Sequence, residues 1–130
     1  MAAAALGLAA CLTSTQRSFL PDPNAGRLSP DDWRQRATAL LAAECPRLMG
    51  GGNSALGEAG FELELGPGGD VREAVLTRAS NDDRIDALFG GLAAQLTFPT
   101  ASGGNRAPIT AGYSCAPDIA VATLELNTTP

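Results

Sequence analysis

Residues 61–78 constrain the fold more than any other part of the chain. Phe61-Glu62-Leu63-Glu64-Leu65 alternates apolar and acidic residues, so a strand here turns its apolar side chains one way and its carboxylates the other. Gly66-Pro67-Gly68-Gly69-Asp70 then reverses the chain, because Gly supplies the positive φ values and Pro the fixed φ that tight turns use. Val71 to Arg78 provides the returning strand. A Gly-rich loop can also cradle phosphate, but no Lys-Ser/Thr follows this one and it joins two strands. A hairpin with one wet face is expected.

The flanking segments supply helices to cover the dry face. Ser29-Pro30-Asp31-Asp32 has the order of a helix start: a hydroxyl cap, Pro in the first turn, and acids at the positive end of the dipole. Trp33, Ala37, Leu40 and Leu41 fall on one side of that helix, which is expected to end near Cys45 because Pro46 disfavours helical geometry before it. Gly50-Gly51-Gly52-Asn53 reads as a loop. A second helix is expected from Ser80–Asp83, capped by Ser80 or Asn81, with Ile85, Leu88, Phe89, Leu92 and Leu96 at helical spacing and Phe98-Pro99 closing it. Gly90 and Gly91 each weaken it by about 1 kcal/mol relative to Ala, and their value would be to let a strand come close. After a loop at Ser102–Asn105, a third strand is expected at Ile109–Cys115. Ile119–Leu126 is a possible fourth, with Ala116-Pro117-Asp118 as the turn. The expected fold is therefore α+β: a small antiparallel sheet of three or four strands packed with two helices, in one domain spanning residues 30–130. With few aromatic residues to bury, an ordinary stability of roughly 5–10 kcal/mol is expected.

Upstream of that domain, Met1 to Ala10 is apolar and small, and Leu8-Ala9-Ala10-Cys11 resembles a lipoprotein signal, with Cys11 as the lipidated residue. No basic residue precedes the run, which is also too short to span a bilayer. Residues 1–11 are read as this signal segment and residues 12–29 as a tether that holds Ser, Thr, Gln, Asn and three Gly/Pro breakers with little periodicity.

Charge and residue type narrow the chemistry. The net charge is −5, and all nine cations are Arg, scattered and without interleaved aromatics, so nucleic acid is not an expected partner. The chain has no His, which removes the usual triads and the commonest general base at neutral pH. Asn81-Asp82-Asp83-Arg84-Ile85-Asp86 lacks the central Gly and distal Glu of a calcium loop, and helix capping accounts for its acids. Glu62 and Glu64 share a strand face, but with nothing apolar beside them they read as a solvated surface rather than an acid/base pair. No catalytic residue, metal site or cofactor is expected. Cys45 and Cys115 remain after Cys11: in an exported chain they would form a disulfide, and in a cytosolic one they would be buried thiols.

From about Gly60 to Tyr113 the order of elements resembles the C-terminal domain of the TonB/TolA class and a related domain of gliding-motility proteins. The resemblance rests on Phe61–Leu65, Pro67-Gly68-Gly69-Asp70-Val71, Arg72–Ala79, Ser80-Asn81-Asp82-Asp83-Arg84-Ile85-Asp86, Phe98-Pro99 and Ile109–Tyr113, with Asn81 standing where the family pattern has Gly. The resemblance implies a domain that binds a partner by accepting its strand at an open sheet edge. The expected edge is Ile109–Cys115, with Ile109, Thr110, Ala111 and Tyr113, or Ile119–Leu126, with Val121 and Thr123. The expected function is a non-enzymatic lipoprotein domain that binds another envelope protein. Its expected place is the periplasmic side of a Gram-negative envelope, anchored at the outer membrane. A structural envelope protein with a closed edge is the alternative, followed by a component related to energy transducers. A small enzyme or ligand carrier comes last.

Overall fold

A computed structural model describes residues 17–98 and 106–126. Leu8–Cys11 with its lipidation residue, Pro99 and the loop at Ser102–Asn105 lie outside the described residues. The elements run β1 (Ser18–Phe19), α1 (Pro30–Met49), β2 (Ala55–Leu65), β3 (Val71–Arg78), α2 (Asp83–Ala93), β4 (Arg106–Ala116) and β5 (Ile119–Leu126). All strand pairs are antiparallel, and the sheet order is β1-β3-β2-β4-β5. The α+β expectation holds, with five strands rather than three or four.

Strand register explains why both helices share one side. Ala59, Phe61 and Leu63 of β2 lie beside Ala111, Ile109 and Ala107 of β4, and Ala111 in turn pairs with Leu124 of β5. These alternate residues form one face, which α1 covers over β4 and β5 while α2 covers β3 and β1. The largest fully buried side chains are Trp33, Phe61 and Phe89. Phe89 stands between the other layers, its ring 5.3 Å from Trp33 of α1 and 6.5 Å from Tyr113 of β4. The opposite sheet face carries Glu58, Glu62, Glu64 and Glu125 together with Leu56, Val121 and Ile119, and no helix lies over it among the described residues. Leu56 is 77% exposed there.

The hairpin forms as read. Gly66 N–H donates to Asp70 C=O at 2.8 Å, and Gly69 turns the chain at φ 89°. A side chain at Gly69 would be strained by that φ and would also run into the Phe98 carbonyl.

Several element boundaries differ from expectation. α1 passes Pro46 and ends at Met49. The missing Pro N–H costs one bond in the last turn, but Leu48 and Met49 pack on the core and Gly50, at φ 55°, donates to Pro46 C=O at 3.2 Å. On α1 the buried residues are Trp33, Ala37, Leu41 and Cys45, whereas Leu40 is largely exposed on the flank. Asp82, rather than Ser80 or Asn81, caps α2 by accepting Ile85 N–H at 3.0 Å. α2 stops at Ala93, so Leu96 belongs not to the helix but to a bridge with Leu28. β2 begins at Ala55, six residues before the alternating run, and Tyr113 covers Gly57, whose missing side chain leaves room for the ring.

The segment read as a tether is partly built into the domain. Phe19 packs against Gly90 on α2 in space that a Cβ would occupy, so the Gly does admit a close strand, but that strand is β1. Leu28 is buried in the core. Buried Gln95 holds the intervening turn by donating to the carbonyls of Ala25 and Gly26 at 3.3 and 3.1 Å. Apolar burial and these bonds together fix residues 17–28 on the domain.

Cys45 and Cys115 form a disulfide with their Cα atoms 5.5 Å apart, joining the last turn of α1 to the end of β4.

Candidate functional site

The sheet has two edges, and they differ in kind. On the β3 side, Leu76 N–H donates to Arg17 C=O at 2.7 Å as β1 begins, and Ser18 and Phe19 pair with Val75 and Ala74. Farther along, Val71 N–H donates to Leu96 C=O at 3.0 Å, while the Arg27 guanidinium donates to Val71 C=O at 3.0 Å. The chain's own N-terminal segment and Arg27 therefore cover this edge.

The other edge is β5. Ile109, Thr110, Ala111 and Tyr113 do not belong to it, because β4 lies between β2 and β5 and pairs with both along its length. The early start of β2 at Ala55 supplies the second neighbour. Tyr113 faces the helices, and burial, with the charges of Asp82 and Asp86 adding to it, pushes its phenol above the usual range. Thr110 lies on the outer face opposite Glu125 of β5. Val121 and Thr123 are on the edge strand itself, with exposed side chains on the outer face. Val121 is 41% exposed, Ile119 61% and Leu126 48%.

Two side chains of α1 reach the outward backbone of β5. Ala122 N–H donates to Thr38 Oγ1 at 3.0 Å, and Arg34 Nη2 donates to Leu124 C=O at 3.1 Å. Asp31 holds the same guanidinium through Nη1 at 2.7 Å. The bonds identify which way the strand faces: Ala122 and Leu124 point their peptide groups outward, and Val121 and Thr123 point theirs toward β4. Sequence reading missed Arg34 and Thr38. Their i, i+4 spacing places them on one side of α1, but nothing local shows that β5 is what that side meets.

A second polar group ties α1 to α2. Glu44 bonds Arg84 at 3.0 Å and Arg47 at 3.0 Å, and Arg47 bonds Asp82 at 2.7 Å. Arg84, then Arg47, hold the Glu44 carboxyl below its ordinary value, and Arg47 does the same for Asp82 against the opposing effect of burial. Carboxyls with lowered folded-state pKa values stabilise the fold above the unfolded carboxylate range and lose that contribution as pH falls through the folded values. Arg47→Met should therefore lower the urea midpoint near neutral pH, and the difference from wild type should close as pH falls below the ordinary carboxylate range. A constant difference across that range would show that Arg47 acts through packing alone.

On the outer face, Leu56, Gly57, Glu58, Gly112, Ser114 and Thr123 line a shallow hollow of about 440 Å³. Its one carboxylate, Glu58, is already paired with Arg78 at 2.8 Å. Among the described residues no three His, Cys, Asp or Glu side chains come together as a metal site, and no helix is long and apolar enough to cross a membrane.

No family model matches the chain, nor does any curated protein or solved structure.

Proposed function

We propose that this is a non-enzymatic domain of a cell-envelope lipoprotein that binds another envelope protein by accepting one of its strands at β5. The observation that carries the reading is the asymmetry of the sheet. One edge is covered by the chain's own N-terminal segment, while the other is an eight-residue strand with Ile119, Val121 and Leu126 exposed. Backbone pairing would supply affinity, and the outer-face side chains of Val121 and Thr123 would tune choice. The TonB-like resemblance favours the same mode. Asn81, standing where that pattern has Gly, adopts φ 77°, a left-handed conformation that Gly and Asn share. Lipidation at Cys11 would hold the domain on the periplasmic side of the outer membrane.

The test is a pull-down from envelope extract with wild type beside Ala122→Pro. Proline there removes an outward N–H and leaves the β4–β5 ladder whole, whereas proline at Val121 or Ala111 would cut pairing inside the sheet. Loss of a partner with Ala122→Pro, in a variant that keeps its circular dichroism, is the expected result. Retention of every partner would remove strand addition from consideration. Within the same experiment, Cys11→Ser should move the chain out of the membrane fraction, and no movement would argue against the lipid anchor.

A second reading has its own support. The bonds from Thr38 and Arg34 occupy outward groups of β5, as expected of a structural protein that guards its edge.

A further inference from the structure

The two bonds on β5 are placed as a neighbouring strand would place them. Thr38 Oγ1 stands in for a carbonyl facing Ala122 N–H, and the Arg34 guanidinium stands in for an amide facing Leu124 C=O. We propose that Arg34 and Thr38 latch the β5 edge, and that β5 of a second copy is a strand the unlatched edge accepts. The inference rests on the reading of β5 as a pairing edge.

The register makes the case. Two β5 strands that run antiparallel about a two-fold axis at Thr123 set Ala122 of one copy opposite Leu124 of the other. Both residues point their peptide groups outward, so they form a hydrogen-bonded pair. Ala122 N–H then meets Leu124 C=O of the second copy, and the symmetry-related bond forms as well. These are the same two groups that Thr38 and Arg34 hold within one chain. On the outer face Thr123 meets its own copy and Val121 meets Glu125, so no like charges face one another. The strand carries Glu125 as its only charge and has no Lys or Pro, the usual residues that keep edges apart. The closed two-fold pairing buries both β5 edges at once.

The latch is made of replaceable bonds. Asp31 remains bound to Arg34 Nη1 when Nη2 lets go, so the released guanidinium keeps a partner. Each bond given up for an equivalent one across the interface costs little, while removing the competing side chain favours pairing by about fivefold per bond, or on the order of 600-fold for the four latch bonds of the two copies.

The experiment uses the pure full-length chain, with no partner present. Sedimentation velocity over about a hundredfold range of concentration compares wild type with the Arg34→Met, Thr38→Val double variant. The variant should dimerise on the order of 600-fold more tightly, and adding Ala122→Pro should return it to monomer. A double variant with native circular dichroism that sediments as wild type does over the whole range overturns the proposal. Amide exchange supplies a measurement that needs no association: Thr38→Val alone should speed exchange at Ala122, and an unchanged rate would show that no latch holds that group. The proposed envelope binding fails or stands separately. A chain that dimerises when unlatched but captures no envelope partner keeps the latch and loses the function, and capture indifferent to the double variant does the reverse.

Discussion

Replacing Cys45 and Cys115 together by alanine should lower the unfolding free energy by about 4 kcal/mol. The bridge closes a separation of 70 residues, and a loop of that length restricts the unfolded chain strongly in the chain-entropy model. Native strain would reduce the figure, but the Cα separation of 5.5 Å lies within the range a disulfide spans comfortably. The effect is large against a total of roughly 5–10 kcal/mol, so the urea midpoint should fall far enough to be unmistakable. Both sulfurs are buried, Cys45 4% and Cys115 1% exposed, so a mild reductant should reach them only as the domain opens. Titration of Cys45 and Cys115 as free thiols in the native protein would contradict the bridge. Equal midpoints for wild type and the double variant would contradict its energetic role.

Phe89→Ala should have a comparable effect, about 3–5 kcal/mol. The ring contacts Trp33 on one side and Tyr113 on the other, so its loss opens a cavity where α1, α2 and the sheet meet. Collapse around that cavity is limited, since α1 is fixed at its far end by the disulfide and α2 at its start by the Glu44, Arg47 and Asp82 bonds. Phe89→Leu fills most of the space and should recover most of the loss. Urea denaturation of the three proteins checks both statements. A fall of under about 1 kcal/mol for Phe89→Ala would show that the layers do not depend on this ring.

The parts of this fold that were legible in sequence are those specified locally. The 61–78 hairpin needs only the alternation of apolar and acidic residues and a glycine turn. The start of α1 needs only Ser29, Pro30 and two acids. Other parts depend on partners distant in sequence. β1 is two residues inside a polar segment, and its reason to exist is the bare surface of Gly90 more than 70 positions away. The first half of β2 was hidden because Gly57 and Gly60 interrupt the apolar pattern, and Tyr113 supplies the missing side-chain cover at Gly57. Pro46 argued for a helix end that tertiary packing and the Gly50 cap overrode. The edge was half legible. Ile119–Leu126 was named as a possible outer strand, yet Thr38 and Arg34 became visible only once α1 and β5 were adjacent.

The strand order has a bearing on orientation. Arg17 enters the sheet beside β3, and β5 lies at the opposite rim, about 19 Å away across four strand spacings. A chain held from upstream of Arg17 is therefore moored at one rim and presents the other to whatever approaches. Under the proposed function, mooring and berth would lie on opposite rims of the sheet, and a bulky partner would dock on β5 clear of the rim at Arg17.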